Sequence, residues 1–118
     1  MHSLPSGPVI EKPWGREIWW AVPDLYAAKA LVVMAGHSVS LQYHERKHET
    51  LYFLEGEALL RIGDAESSVL PGHVVMIPPR TLHRIRGISD LVVIEVSTPD
   101  LDDVVRVEDS YGRVVDSD

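Results

Sequence analysis

Residues 36–56 read GHSVSLQYHERKHETLYFLEG. Two runs rich in aliphatic, β-branched and aromatic residues, Val39–Tyr43 and Thr50–Leu54, flank a charged loop, and glycines bound the whole at Gly36 and Gly56. This is the pattern of two short strands set off by turns. In the first run Gln42 and His44 lie two apart, so they share a face with Ser38 and Ser40, while Val39, Leu41 and Tyr43 take the other. One face of this strand is therefore small and polar, and the opposite face is apolar. Glu49 follows the four-residue loop and opens the second run.

The same reading extends outward. Arg16–Ala21, Tyr26–Met34, Ala58–Ile62, His73–Ile77 and Leu91–Val96 are further short runs of strand-forming residues. Turn signals such as Val22-Pro23-Asp24, Gly63-Asp64, Pro71-Gly72 and Ser89-Asp90 separate them at roughly 8–12-residue intervals, the spacing of an all-β sandwich or barrel. A helical period occurs only over Leu101–Val107, and briefly. Closing into a double-sheet jelly roll removes the exposed edges that so many short strands would leave. The expectation is one all-β domain over 9–113, with flexible ends at 1–8 and 114–118.

Composition narrows the functions open to such a chain. Its 118 residues suffice for one domain, and 45% hydrophobic with 25% charged residues is globular composition. The formal net charge of −7 argues against a nucleic-acid partner. Zero cysteines exclude a thiolate nucleophile, a disulfide framework and a Cys-based zinc site. Seven acidic residues follow Pro99 against two basic ones, so the body before it, with nine basic and eleven acidic residues, is nearly neutral. No apolar run approaches a membrane span, and Met1–Pro8 has no leader character, so a cytoplasmic protein without a membrane partner is expected.

His83 stands 34 residues after Glu49, just past the Pro78-Pro79 turn. Gln42, His44, Glu49 and His83 make a mixed nitrogen and oxygen donor set, which suits zinc, iron or manganese. Taken singly, each of these residues is unremarkable; the joint spacing makes the case.

That spacing carries a resemblance. The segment from Gly36 through His44 and Glu49 to Gly56 resembles the first cupin motif, with Gln42 where the first histidine usually stands. The segment with Gly72, Pro78 and His83 resembles the second, with Arg80 at a glycine position. A narrower similarity, to the type II phosphomannose isomerase domain, runs through Glu11-Lys12-Pro13-Trp14-Gly15, Ser40-Leu41-Gln42-Tyr43-His44, His83-Arg84, Ile94-Glu95-Val96 and Tyr111-Gly112-Arg113. In that family the domain often forms the C-terminal part of an enzyme that also makes GDP-mannose. No Gly-rich nucleotide loop precedes Lys12, so nucleotidyl transfer is not expected of these residues.

The resemblance implies a cupin jelly-roll barrel (a double-stranded β-helix). It also implies one divalent metal ion, zinc first and manganese, cobalt, iron or nickel as alternatives, held by Gln42, His44, Glu49 and His83. The implied activity is aldose–ketose isomerisation of a sugar phosphate of the mannose 6-phosphate to fructose 6-phosphate type, in carbohydrate and polysaccharide biosynthesis. The alternative is a metal-binding cupin that binds a sugar or sugar nucleotide without turnover. An isomerase needs a Lewis acid, a base and cationic clamps for the phosphate. Arg84, matching the arginine of the family's His-Arg pair, is the expected clamp, with Arg80, Lys47 and Lys12 as further substrate-binding cations and Arg86 nearby. Those residues would make the pocket locally basic.

For the base, His48 is a candidate because histidine as a residue type can serve as an acid or base near neutral pH, and Glu95 is another because an acid in an apolar strand needs a reason if it faces inward. Parity leaves the face of Glu95 open. Trp14, Trp19 and Trp20 are expected to be core and interface anchors rather than a sugar platform. Because Trp19 and Trp20 point to opposite faces, one needs an outside cover, and a homodimer is expected.

Overall fold

A computed structural model describes residues 3–100 and 102–108 of the chain. The expected loose end at 114–118, the boundary at 113 and residues 1–2 of the expected N-terminal lead lie outside the described residues. The strands are β1 (Val9–Lys12), β2 (Gly15–Ala21), β3 (Ala27–Val33), β4 (Leu41–Tyr43), β5 (Glu49–Glu55), β6 (Ala58–Ile62), β7 (Ala65–Val69), β8 (Val74–Ile77), β9 (His83–Gly87), β10 (Leu91–Ser97) and β11 (Val105–Glu108). They form two antiparallel sheets, ordered β1-β2-β3-β10-β5-β8 and β11-β4-β9-β6-β7. The fold is the all-β double sheet anticipated from the turn spacing. Among the described residues there is no helix, hence none long and apolar enough to cross a membrane.

All seven strands expected from sequence are present, Ala58–Ile62 with the expected ends and the other six with shifted ones. Four more, β1, β7, β9 and β11, escaped that reading. Ala65–Val69 is a polar edge strand, buried only at Val69, so it carries no apolar alternation. His83–Gly87 holds two arginines, and its alternation is hidden because a histidine occupies an inward position beside Ile85 and Gly87. The helical reading of Leu101–Val107 gives way to strand pairing from Val105, where Val105 lies opposite Tyr43 and Arg106 opposite Gln42.

Alternation along the strands divides the interior into two halves. On β3 the inward residues run Val33, Leu31, Lys29; on β10 they run Leu91, Val93, Glu95. Register pairs these ends like with like: Val33 with Leu91, Leu31 with Val93, Lys29 with Glu95. Phe53, Leu51 and Glu49 repeat the sequence on β5, and Ile85 with His83 repeat it on β9. The apolar halves join as one core with Trp14, Leu60 and Ile77. Each such side chain contributes about 1.5–3 kcal/mol by leaving water. The polar halves collect at the other end, and that is where the site lies.

Two turn positions explain the glycine spacing. Gly56, between β5 and β6, has φ 86°, and a Cβ there would fall 2.0 Å from the Asp90 carbonyl oxygen. Arg80 is the described non-glycine residue with positive φ, at 60°. Its N–H donates to the His44 carbonyl at 2.6 Å, which ties the turn before β9 to the loop after β4. A left-handed residue with a Cβ costs about 1–2 kcal/mol, so the glycine of the motif has a backbone reason. Arg80→Gly should therefore change stability by less than about 1 kcal/mol, relief of strain offsetting a more flexible unfolded chain. Arg80→Val, branched at Cβ, should lose about 1 kcal/mol or more in urea unfolding. Equal midpoints for Val and Arg would contradict the strain.

Candidate metal centre and its cavity

The loop 44–48 carries the chain from the five-stranded sheet to the six-stranded one, bringing His44 and Glu49 face to face. His83 enters from β9, whose register places it opposite Gln42. His44 Nε2 lies 2.9 Å from Glu49 Oε2, and His83 Nε2 lies 3.5 Å from the same oxygen. All three side chains are almost completely buried.

The outer ring nitrogens decide what the inner ones can do. His44 Nδ1 faces the Asp103 carbonyl and His83 Nδ1 faces the Thr81 carbonyl, at 2.9 Å in the second case. Carbonyl oxygens only accept, so each Nδ1 donates, and in the neutral imidazole each Nε2 presents a lone pair inward. Two lone pairs then confront a carboxylate oxygen. His44 Nε2 and Glu49 Oε2 are close yet meet no hydrogen-bond geometry, and both are buried without such a partner. A proton or a cation must occupy that space. The ligand atoms of His44, Glu49 and His83 lie within 4.8 Å of one another, as a shared metal ion requires. The donor set therefore fits a divalent metal, with two imidazole nitrogens and a carboxylate oxygen. Burial alone would push the Glu49 carboxyl up, but the two imidazoles and the Lys47 ammonium outweigh it and hold it well below the ordinary carboxylate range.

Gln42, the fourth expected ligand, accepts the Ser40 hydroxyl on its amide oxygen at 2.7 Å. The same-face relation of Ser40 and Gln42 holds. An amide oxygen has a second lone pair, so Gln42 keeps the capacity to ligate from beside the triad.

Next to the triad a cavity of about 280 Å³ opens, walled by Gln42, His44, Lys47, Glu95, Lys29 and Trp19 among others. Lys47 Nζ and Glu95 Oε2 form a buried ion pair at 2.7 Å. Burial lowers the basicity of Lys47, but Glu95 and Glu49 overcome it, and Lys47 ends above its ordinary value as a firm cation. Glu95 moves up from the usual carboxylate range through burial first and the Glu49 charge second, with Lys47 and Lys29 pulling back.

The structure sorts the other candidates. Lys12 and Lys47 line the cavity, and Glu95 faces into it. Arg84 does not: it follows His83 on β9, and adjacent strand residues point to opposite faces. Its guanidinium lies 3.3 Å from Glu108 and donates to the Val39 carbonyl at 3.2 Å, beside Arg61 and Arg86 in a separate recess. The expected clamp at Arg84 is thus corrected. Arg80 is exposed and contributes its backbone rather than its charge. His48 is also exposed, its N–H on Thr98 Oγ1 at 3.1 Å, outside the cavity.

The pocket is not locally basic, because Arg80, Arg84 and Arg86 are elsewhere and the cations on the wall alternate with carboxylates. Trp14 belongs to the core and also borders the cavity, and Trp20 is 40% exposed. Trp19, expected as an anchor, lines the cavity instead.

Four residues were missed, among them Arg106, which lies opposite Gln42 in the β11–β4 register and lines the cavity. Lys29 is the single charge in AAKALVV, a run in which an inward lysine demands a partner, and that was the available signal. Glu17 is its partner, with Oε1 3.6 Å from Lys29 Nζ. Asp103 looked like part of an acidic tail. Its carboxylate accepts the N–H groups of Glu45 at 2.9 Å, Arg46 at 2.7 Å and Lys47 at 3.0 Å, while its carbonyl orients His44. Burial is outweighed by those backbone donors, so the Asp103 carboxyl titrates below its ordinary 3.8.

A closed antiparallel double sheet with two imidazoles and a carboxylate converging inside one end defines a jelly-roll protein with an internal metal-type site. The cupin domain family matches residues 30–97, more than half of the chain, and the chain belongs to that family. It is 30% identical over 109 residues to the xanthan biosynthesis protein XanB of Xanthomonas campestris pv. campestris (strain B100), covering 88% of this chain and 23% of that protein. It is also 30% identical over 107 residues to mannose-1-phosphate guanylyltransferase 2 of Escherichia coli O157:H7, covering 86% of this chain and 22% of that one. The chain thus spans less than a quarter of the length of these relatives. The capsular polysaccharide assembling protein CapF from Staphylococcus aureus shares the fold with a TM-score of 0.72 at 21% identity, over 86% of this chain and 34% of CapF.

Protein freed of metal and reloaded with zinc or manganese should bind about one ion per chain, measured by elemental analysis after dialysis; His83→Ala or Glu49→Gln should abolish this. Binding should weaken as pH falls, because the ion displaces protons from the ligands. Asp103→Asn sets an amide N–H against a backbone N–H and should cost about 1–3 kcal/mol in unfolding, with about 10–100-fold weaker metal binding in a chelator competition. The native carboxyl is stabilising above its unfolded value and loses that contribution as pH falls through its lower folded value. The stability gap between wild type and Asp103→Asn should therefore close below about pH 4.

Proposed function

We propose that this cupin is a metal-dependent sugar-phosphate isomerase of the mannose 6-phosphate to fructose 6-phosphate type. One observation carries the reading: the His44–Glu49–His83 group adjoins a cavity in which the Glu95 carboxylate is held 2.7 Å from the Lys47 ammonium. A divalent ion bound there, zinc in this proposal, supplies Lewis acidity toward the oxygens of the sugar.

The chain's own groups supply the rest. Glu95 takes the proton from C2 of the open-chain aldose and returns it to C1, while the hydroxyl proton passes from O2 to O1, so substrate and product are isomers. The raised affinity of Glu95 for a proton suits a group that must both accept and release one. Lys47 balances the carboxylate and stands beside the negative charge that grows on the enediol oxygens. Lys12 and Arg106, also on the wall, are the cations offered to the phosphate. The names of the relatives, a mannose-1-phosphate guanylyltransferase and a xanthan biosynthesis protein, support a phosphorylated mannose as the substrate class. A charged sugar phosphate is confined by membranes, which agrees with a cytoplasmic protein. The same proposal keeps a homodimer, joined through the outer face of the six-stranded sheet where Trp20, Tyr52, Met76 and Val96 are exposed.

A second reading, a sugar-binding cupin without turnover, is favoured by the outward-facing Arg84, which leaves the expected clamp out of the cavity. Metal-loaded protein assayed for interconversion of mannose 6-phosphate and fructose 6-phosphate separates the two. Turnover is expected, with Glu95→Gln reducing kcat by about 10²–10⁴-fold while metal content stays unchanged. Absence of turnover with every metal tried, alongside measurable sugar-phosphate binding, would establish the second reading; full activity in Glu95→Gln would remove the base.

A further inference from the structure

Beyond Glu95 the cavity wall carries a polar group that the isomerisation chemistry leaves unused. Strand register sets Trp19 on β2, Lys29 on β3 and Glu95 on β10 side by side. Lys29 is only 5% exposed, and its ammonium is held by an ion pair and a cation–π contact rather than by a hydrogen bond. The nearest carboxylate oxygen, Glu17 Oε1, is 3.6 Å away, beyond hydrogen-bond length, and the Trp19 ring centroid is 4.8 Å away. The Glu95 carboxylate, which could have closed on Lys29, closes on Lys47 instead. Trp19 Nε1–H donates to Glu17 Oε1 at 2.8 Å and fixes that carboxylate. Glu17 Oε2 receives no hydrogen bond among the described residues. The wall therefore shows the cavity an ammonium with spare donors beside a carboxylate oxygen with spare lone pairs.

The charge of Lys29 is already answered by Glu17 and Glu95, which flank it. A phosphate dianion placed there would meet both carboxylates, whereas a neutral hydroxyl can accept from Lys29 and donate to Glu17 at once. Buried groups with unused hydrogen-bonding capacity discriminate strongly for ligands that satisfy them. Lys29 and Glu49 are on strands separated by β10, two strand spacings or about 10 Å, so a ligand touching both ends carries several functional groups. We propose that Glu17, Lys29 and Trp19 form a hydroxyl-reading subsite, which recognises unphosphorylated hydroxyls of the sugar and leaves its phosphate to other cations of the wall. This deepens, and rests on, the sugar-phosphate reading of the same cavity.

Calorimetric titration of the metal-loaded full chain with mannose 6-phosphate, mannose and inorganic phosphate tests it. Lys29→Met and Glu17→Gln should each weaken mannose 6-phosphate binding by about tenfold or more, with a parallel loss for mannose and no change for inorganic phosphate. Mannose should shift the tryptophan emission of the wild type, and Trp19→Phe should lose most of that shift. Equal losses for inorganic phosphate and mannose 6-phosphate would make Lys29 a phosphate anchor and overturn the subsite, as would sugar binding that ignores both variants. Glu17→Gln, which keeps the side chain's shape, carries the test alone if Lys29→Met fails to fold. Variant-sensitive binding without turnover defeats the isomerase and spares the subsite; turnover with variant-insensitive binding does the reverse.

Discussion

A charge inside a barrel is tolerable only beside its opposite, and that requirement governs one half of this interior. Glu49, Lys47, Glu95, Lys29 and Glu17 alternate in sign from the triad to the far wall of the cavity. Removing one member of a buried pair costs about 3–5 kcal/mol, because its partner keeps its charge and loses its counterion. The chain of charges is thus self-supporting only when whole. All its members but Lys47, which sits in the loop before β5, are held by four neighbouring strands whose opposite ends form the apolar core, so packing at one end sets the positions of charges at the other.

The triad stands at the end of this chain with a surplus of inward-facing lone pairs. Backbone carbonyls of Thr81 and Asp103 fix both imidazoles, and the Asp103 carboxylate gathers the three N–H groups of the loop that spaces His44 from Glu49. That single aspartate also determines where Lys47 begins, since it holds the Lys47 N–H. The geometry of the metal-type site and the geometry of the Lys47–Glu95 pair therefore share one support. A cupin interior of this kind joins a group able to hold a cation to a cavity of balanced charge.

Much of this was legible in the sequence, for a local reason. His44 and Glu49 are five residues apart across a short loop, Gln42 and His44 share a strand face by the two-residue period, and turn glycines mark the strand ends. Lys12 and Lys47 lie on the cavity wall. Arg84 does not, because the two-residue period that joins Gln42 to His44 also parts Arg84 from His83. Proximity in sequence is not proximity in space.

By itself the sequence determined the double-sheet barrel and the set of residues able to hold a metal, because alternation, turn chemistry and short-range spacing are properties of neighbours along the chain. Tertiary structure alone decided that Glu95 faces inward, that Lys29 and Glu17 join it, and that Asp103 serves the site rather than the tail. Those outcomes depend on register between strands distant in sequence. Lys29 meets Glu95 only because β3 pairs with β10 across more than sixty residues, and no local pattern encodes that pairing.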